Sequence, residues 1–317
     1  MKPDGSIHTI KWGGKQITQT GMYGNIPLET YHAHNICDGP SISSSGLRII
    51  FNLSPAHFYS QWRGNPKAAM PTDAEHFRVG RALHHLMLGE KFFSKLFAVQ
   101  PEEWPDENGV LKPWHNLRIV CKAWNRQREQ EGRAVLTKAD VVSLKNMAIA
   151  LGNNPIIQAG ALNGLIERSI FWKDKDTGIW LKSRPDSIPG DSGDFVDLKT
   201  TTSVMWREMV RTVGERGYNQ QGALICEGAR RVLKIAHPTF TLIFAEKKVP
   251  YCTRVVTLKD NDLQLGERQN HAALATFAQC LKTGQWPGPG GTKEDAENIE
   301  IGDYDRKRIE ERLEFGI

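Results

Sequence analysis

The residues best suited to chemistry lie in the stretch 183–201, SRPDSIPGDSGDFVDLKTT. Asp186 closes one expected strand, and Asp197 and Lys199 stand two apart on the next. Residues i and i+2 of a strand project from the same face, so Asp197 and Lys199 are expected to point together. A hairpin between the strands brings Asp186 beside them. Two carboxylates and an ammonium converging at a strand end offer oxygen ligands to a hard cation such as Mg²⁺, with a lysine able to orient or activate water. The competing reading is a surface hairpin with incidental charges, because a D-x-K tripeptide is common. Strand patterning on both sides and a Pro-Asp pair upstream favour the site.

Three further positions extend the constellation. Glu167 sits within GLIERSIFW, an apolar strand pattern where a carboxylate is costly unless it has a partner or faces solvent. His84 follows Gly80 by four residues on an expected helix, GRALH, with His85 beside it. Tyr218 and Gln221, three apart in YNQQGALICEG, share one face of a helix and could orient the lysine or a phosphate. The plain alternatives are a packed or surface histidine and an ordinary amphipathic helix.

The elements that must position these residues are legible from periodicity and turn composition. SISSSGLRIIF gives hydroxyl residues ahead of an apolar-periodic run, and Ser54-Pro55 fits a second helix start. Helices are expected over 72–90, with Phe77, Leu83 and residues 86–88 apolar, over 113–131, where Trp114, Leu117, Val120 and Trp124 recur at helical spacing, and over 137–151. After Pro155, three short segments rich in β-branched and aromatic residues, separated by DKDTG and PGDSG, predict an antiparallel three-stranded meander. Helices at 203–214 and 218–231, strands in TFTLIFAEK and YCTRVVTL, and a long helix over 260–283 follow. Residues 1–40 read as an extended segment, 41–155 as mostly helical, 156–287 as a mixed α/β core, and 288–317 as a charged tail after WPGPGG.

Composition narrows the function classes. The 317 residues are 39% hydrophobic and 24% charged, ordinary for a globular protein. No apolar run approaches the roughly 18–20 residues that span a bilayer, and the first residues carry no signal-peptide core, so neither a membrane nor a secreted protein is expected. The net charge of +5 is uneven: residues 290–317 hold nine acids and five bases, −4, which leaves +9 on residues 1–289. A basic body suits a polyanionic partner. The five cysteines are widely spaced with no CxxC pair, which argues against zinc ribbons and iron–sulfur clusters and suggests reduced thiols.

Taken in order, GxxxH, Glu167, RPD, DxKTT and YxxQ resemble the PD-(D/E)xK nuclease superfamily, and more narrowly the RecE (exonuclease VIII)-like nucleases of prophage recombination systems. Tyr31-His32, SISSSGL, SPAHF, FRVGRALHHLMLGE and LGNNP follow the same pattern, so the resemblance covers roughly residues 20–287. It implies an α/β, restriction-endonuclease-like core: a mixed central sheet flanked by helices, with a helical N-terminal half. His84, Asp186 and Asp197 match the metal ligands, Lys199 the catalytic lysine, and Glu167 the acidic residue of the first core strand. Tyr218 and Gln221 match the supporting helix motif. The spacing from Gly80 favours His84 over His85. One departure is Ile225, where the family commonly has tyrosine.

The resemblance further implies an Mg²⁺-dependent exodeoxyribonuclease, with Mn²⁺ as a substitute. It would act on linear double-stranded DNA ends, 5′→3′, leaving a 3′ single strand. The implied setting is a toroidal homo-oligomer working with a single-strand annealing protein in the cytoplasm of a bacterial or phage-infected cell. The basic body would hold the duplex through its phosphates, with Trp62 or Trp180 as candidates to stack on a frayed end. An endonuclease on the same core, or a non-catalytic DNA-binding or assembly module, is the alternative.

Overall fold

Two five-stranded mixed sheets frame the chain, and one bent hairpin passes from one to the other. The computed structural model describes residues 7–68, 75–89, 93–190, 192–291, 296 and 298–316. The first sheet runs, in spatial order, Ile10–Lys11, Gly21–Gly24, Ser169–Lys173, Trp180–Ser183 and Ser41–Ser43. The second runs Thr253–Thr257, Thr239–Glu246, Asp194–Thr201, Ser187–Ile188 and Leu165–Ile166.

The expected meander keeps its antiparallel pairing but is divided between the sheets. Leu181 pairs with Trp172 in the first, while Ser187 pairs with both Ile166 and Val196 in the second. The hairpin bends twice. Glu167 adopts a left-handed conformation at φ +48°, and across from it Arg184 precedes Pro185, which keeps Arg184 extended and supplies no ladder donor. Gly164 is needed just before the bend, since a Cβ there would fall 1.8 Å from the Ile188 carbonyl oxygen.

Both faces of the second sheet are covered, and the strand Asp194–Thr201 shows why its sequence alternates as it does. Phe195 belongs to a core shared with Leu224, Ile225, Phe240 and Phe277, from the helices Tyr218–Gly228 and Asp260–Thr283 and the neighbouring strand. Val196 and Leu198 belong to a second core with Leu83, Leu144, Met147 and Ile243, under the helices Glu75–Met87 and Lys138–Gly152. A strand buried on both faces is the arrangement expected for one paired in parallel, as this one is with Thr239–Glu246.

Most expected helices appear with small shifts. Lys138–Gly152 starts at a capping box between Thr137 and Asp140, and Pro55–Tyr59 is capped by Ser54. The helix expected over 72–90 is Glu75–Met87; residues 72–74 and 90 lie outside the described residues. The helix expected over 113–131 begins only at Ile119. Leu111–Pro113 is instead a strand paired with Glu103–Pro105, and Arg118 donates to the carbonyls of Trp104, Lys112 and Pro113. The tryptophan spacing therefore marks a hairpin-and-helix cluster, with Trp124 edge-on to both Trp104 and Trp114.

The N-terminal segment is fastened to the first sheet. Gly21–Gly24 pairs with Ser169–Lys173, and cations from the hairpin grip the carbonyls of the following turn: Lys182 Nζ donates to Tyr31 O at 2.7 Å and Arg184 Nη1 to Ile26 O at 2.8 Å. Burial pushes the Lys182 ammonium down to about 8. At the other end, Trp286 stacks on Tyr59 at 4.6 Å, while the helix Asp303–Phe315 has no buried residue. All five cysteines are free. No helix of the described residues is long and apolar enough to cross a membrane.

Candidate active site

The strand Ser187–Ile188 is too short to satisfy the whole of its neighbour, and Asp186 takes over where it stops. Its Oδ2 accepts the Leu198 N–H at 2.6 Å, so the carboxylate continues the ladder and is fixed against the strand that carries Asp197 and Lys199. Asp197 is almost fully buried, at 1% exposure, and its carboxylate is in direct contact with Lys199 Nζ. The same ammonium lies 5.3 Å above the Tyr218 ring. Gln221 Nε2 donates to Asp197 Oδ1 at 3.1 Å, one helical turn from Tyr218. The i, i+2 relation on the strand and the i, i+3 relation on the helix thus meet at one carboxylate.

Charge is concentrated here beyond what local pairing relieves. Burial and the Asp197 carboxylate push Asp186 well above the usual carboxylate range, against the pull of Lys199. Burial alone would lower Lys199, but Asp197 and Asp186 outweigh it and hold the ammonium above its ordinary value.

His84 reaches the site from the opposite layer. Gly80 lets the helix Glu75–Met87 approach the strand, since a Cβ there would stand 3.1 Å from Thr200 Oγ1. One turn later His84 Nδ1 lies 3.4 Å from Asp186 Oδ2. Burial, with Lys199 adding to it, lowers the imidazole below its ordinary value and favours the neutral form in which histidine ligates metals. His85 sets its ring edge-on to Phe97 at 5.5 Å, and of the two histidines it is His84 that stands beside Asp186.

Glu167 occupies the bend rather than the body of a strand. Its N–H donates to Asp186 O at 3.0 Å and its carboxylate pairs with Arg184, which ties the two bends of the hairpin together beside the metal-ligand candidates. Ile225 lies in the hydrophobic core at 1% exposure. Trp180 is buried with Nε1 donating to Asp38 Oδ1, which removes it as a stacking platform. Trp62 packs among Phe58, Tyr59, Phe277 and Trp286.

The donor set fits a divalent cation. Two converging carboxylates and an imidazole that favours its neutral form are its ordinary ligands, and Gln221 Oε1 is buried beside them with no hydrogen-bond partner. A different trio, Glu227, Glu267 and His271, brings its ligand atoms within 4.8 Å of one another on the outer helices. There Arg230 already pairs with Glu267 at 2.7 Å and Arg231 with Glu227 at 3.3 Å, so each carboxylate already has a cation from the chain.

Sequence reasoning missed Arg48. It is the sole charged residue of the helix Ser44–Asn52, and that isolation was its signal. Its Nη1 donates to Arg216 O at 2.7 Å, at the start of the helix that bears Tyr218 and Gln221, and both Tyr218 and Asp197 act on its charge.

The family model described as a PDDEXK-like domain of unknown function matches residues 43–298. Among solved structures, the chain is similar to a "Putative exonuclease" from Eubacterium rectale, with a TM-score of 0.57 and 15% identity over 89% of this chain and 98% of that one. No curated protein matches the chain. The mixed α/β architecture is therefore restriction-endonuclease-like, and family and fold together support a nuclease. With four-fifths of its length matched by that model, the chain belongs to the PDDEXK-like family.

Proposed function

We propose that the protein is a Mg²⁺-dependent exodeoxyribonuclease that hydrolyses linear double-stranded DNA from its ends. The observation that carries this reading is the meeting of Asp186, Asp197 and Lys199 at one strand, with Gln221 and His84 closing on the carboxylates from the two flanking layers. Asp186, Asp197 and His84 would hold Mg²⁺, with Mn²⁺ as a substitute; the ion would polarise the phosphoryl oxygen and acidify a bound water. Lys199, held as an ammonium by Asp197 and Asp186, orients the attacking water and donates to the charge that develops on phosphate. Gln221 fixes the rotamer of Asp197, Tyr218 supports the Lys199 ammonium, and Glu167 with Arg184 holds the hairpin bends in register.

Exonuclease action is supported by the RecE-like order of motifs and by the description of the Eubacterium rectale structure. The RecE-like order of motifs alone supports digestion that runs 5′→3′ and leaves a 3′ single strand for an annealing protein, with the enzyme assembled as a toroidal homo-oligomer in the cytoplasm. End-labelled linear duplex incubated with Mg²⁺ or with EDTA tests the proposal. Shortening of the 5′-ended strand only with metal is expected, and covalently closed circles should survive. Cutting of closed circles would replace the exonuclease by an endonuclease on the same core.

A further inference from the structure

We propose that Arg48 is a substrate-binding residue whose guanidinium takes the DNA phosphate next to the scissile one; this rests on the nuclease reading above. The side chain is half-buried and built into place. Its Nε donates to Ser44 O at 3.4 Å and its Nη1 to Arg216 O at 2.7 Å. Its stem presses on Gly217, where a Cβ would meet Arg48 Cδ at 2.8 Å. One turn on, Asn52 donates to Gln220 Oε1 at 3.0 Å, so the helix Ser44–Asn52 is bound to the start of Tyr218–Gly228 at two points.

Both acceptors of Arg48 are neutral carbonyls. They orient the guanidinium without cancelling its charge, and among the described residues no carboxylate forms an ion pair with it. Two of its five donors are used, and the rest keep the planar fork that matches phosphate oxygens. A partly desolvated cation bonded only to neutral carbonyls is costly, and an arriving anion removes that cost. The stem's seat on Gly217, next to Tyr218 whose ring lies 5.3 Å from Lys199 Nζ, sets the guanidinium beside the carboxylate pair, and Asp197 acts on its charge without being bonded to it. A DNA strand with one phosphate at Asp186 and Asp197 therefore meets Arg48 with the adjacent one.

An equally direct reading of the same contacts is that Arg48 only props the helix carrying Gln221, and the test must separate the two. Arg48→Gln is compared with wild type on duplexes bearing a single neutral methylphosphonate next to the scissile position. Wild type should slow by about 10-fold or more on the neutralised substrate, and Arg48→Gln should lose a similar factor on the natural one. Arg48→Gln should lose at most about 2-fold more when the phosphate is also neutralised, because the two changes remove one contact. In EDTA, the slope of log Kd against log salt should fall by about 1. Additive losses with an unchanged salt slope would overturn the proposal in favour of the helix prop, as would wild-type kinetics in Arg48→Gln. If wild type neither binds nor cuts DNA, the nuclease reading itself fails.

Discussion

Gly80 faces Thr200 across the helix–strand boundary, where a Cβ would stand 3.1 Å from Thr200 Oγ1, and that close approach brings His84 Nδ1 to 3.4 Å from Asp186 Oδ2. The glycine carries no unusual backbone angle. Its role is to be small where a helix crosses the end of the strand Asp194–Thr201.

Gly80→Val should therefore lift the helix and withdraw the imidazole. The expected result is a loss of metal-dependent cleavage of about 10-fold or more, with a stability cost of roughly 1–3 kcal/mol from overpacking. Gly80→Ala, with the Thr200 hydroxyl free to turn, should retain most activity. Digestion rates and thermal melts of the two variants check this. A Gly80→Val enzyme as active as wild type would show that His84 does not need its present position.

Lys199→Met removes the cation that the two carboxylates share. Activity should fall by about 10²–10³-fold. Its effect on stability has a definite sign. Asp186 already ionises later in the folded protein than in the unfolded chain, and without Lys199 it ionises later still. Folding then carries a penalty that is absent below the ordinary carboxylate range, grows as pH rises toward the elevated value, and stays constant above it. The metal-free variant should melt lower at pH 8 than at pH 5 by a wider margin than wild type, and added Mg²⁺ should narrow the gap. Equal margins would remove the electrostatic account of the site.

The order of legibility in this chain follows the range of the interactions. The i, i+2 pair Asp197–Lys199, the capping box at Thr137 and the helix Asp260–Thr283 are set by neighbours within a few residues, and the sequence displays them. The division of the meander between two sheets depends on one left-handed glutamate and its Arg184 partner, neither of which has a turn composition. The N-terminal strand Gly21–Gly24 lies in a segment that reads only as extended, because its partner Ser169–Lys173 is far along the chain. Arg48 lies in a helix whose periodicity is plain, but its meeting with Arg216 is a tertiary fact.

Glu227, on the helix Tyr218–Gly228, offers a second pH signature. Burial raises it above its ordinary value, and its Oε2 has no hydrogen bond although Arg231 serves Oε1. Its ionised form thus opposes folding above the raised value and has no effect below the ordinary one. Glu227→Gln should raise Tm at pH 8, leave it unchanged near pH 4, and leave DNA cleavage untouched. A lower Tm at pH 8 would mean that the Arg231 and His271 contacts outweigh the cost of burial.

The two ends of the C-terminal segment should behave differently on truncation. Ending the chain after Gly291 removes the helix Asp303–Phe315, which buries no residue, so Tm should change by less than about 1 °C. Ending it after Gln285 also removes Trp286, which stacks on Tyr59 and borders Phe58, Trp62 and Phe277, together with Pro287, whose carbonyl accepts the Ala56 N–H at 3.1 Å. Losing a tryptophan from such a cluster costs about 3–5 kcal/mol. Because this cluster anchors the helix Pro55–Tyr59 just beyond Ser44–Asn52, the shorter truncation product should lose cleavage as well as stability. Melting and digestion of the two products, compared side by side, check the contrast; a fall in Tm on removing the outer helix alone would show that it docks on this chain or on a second copy.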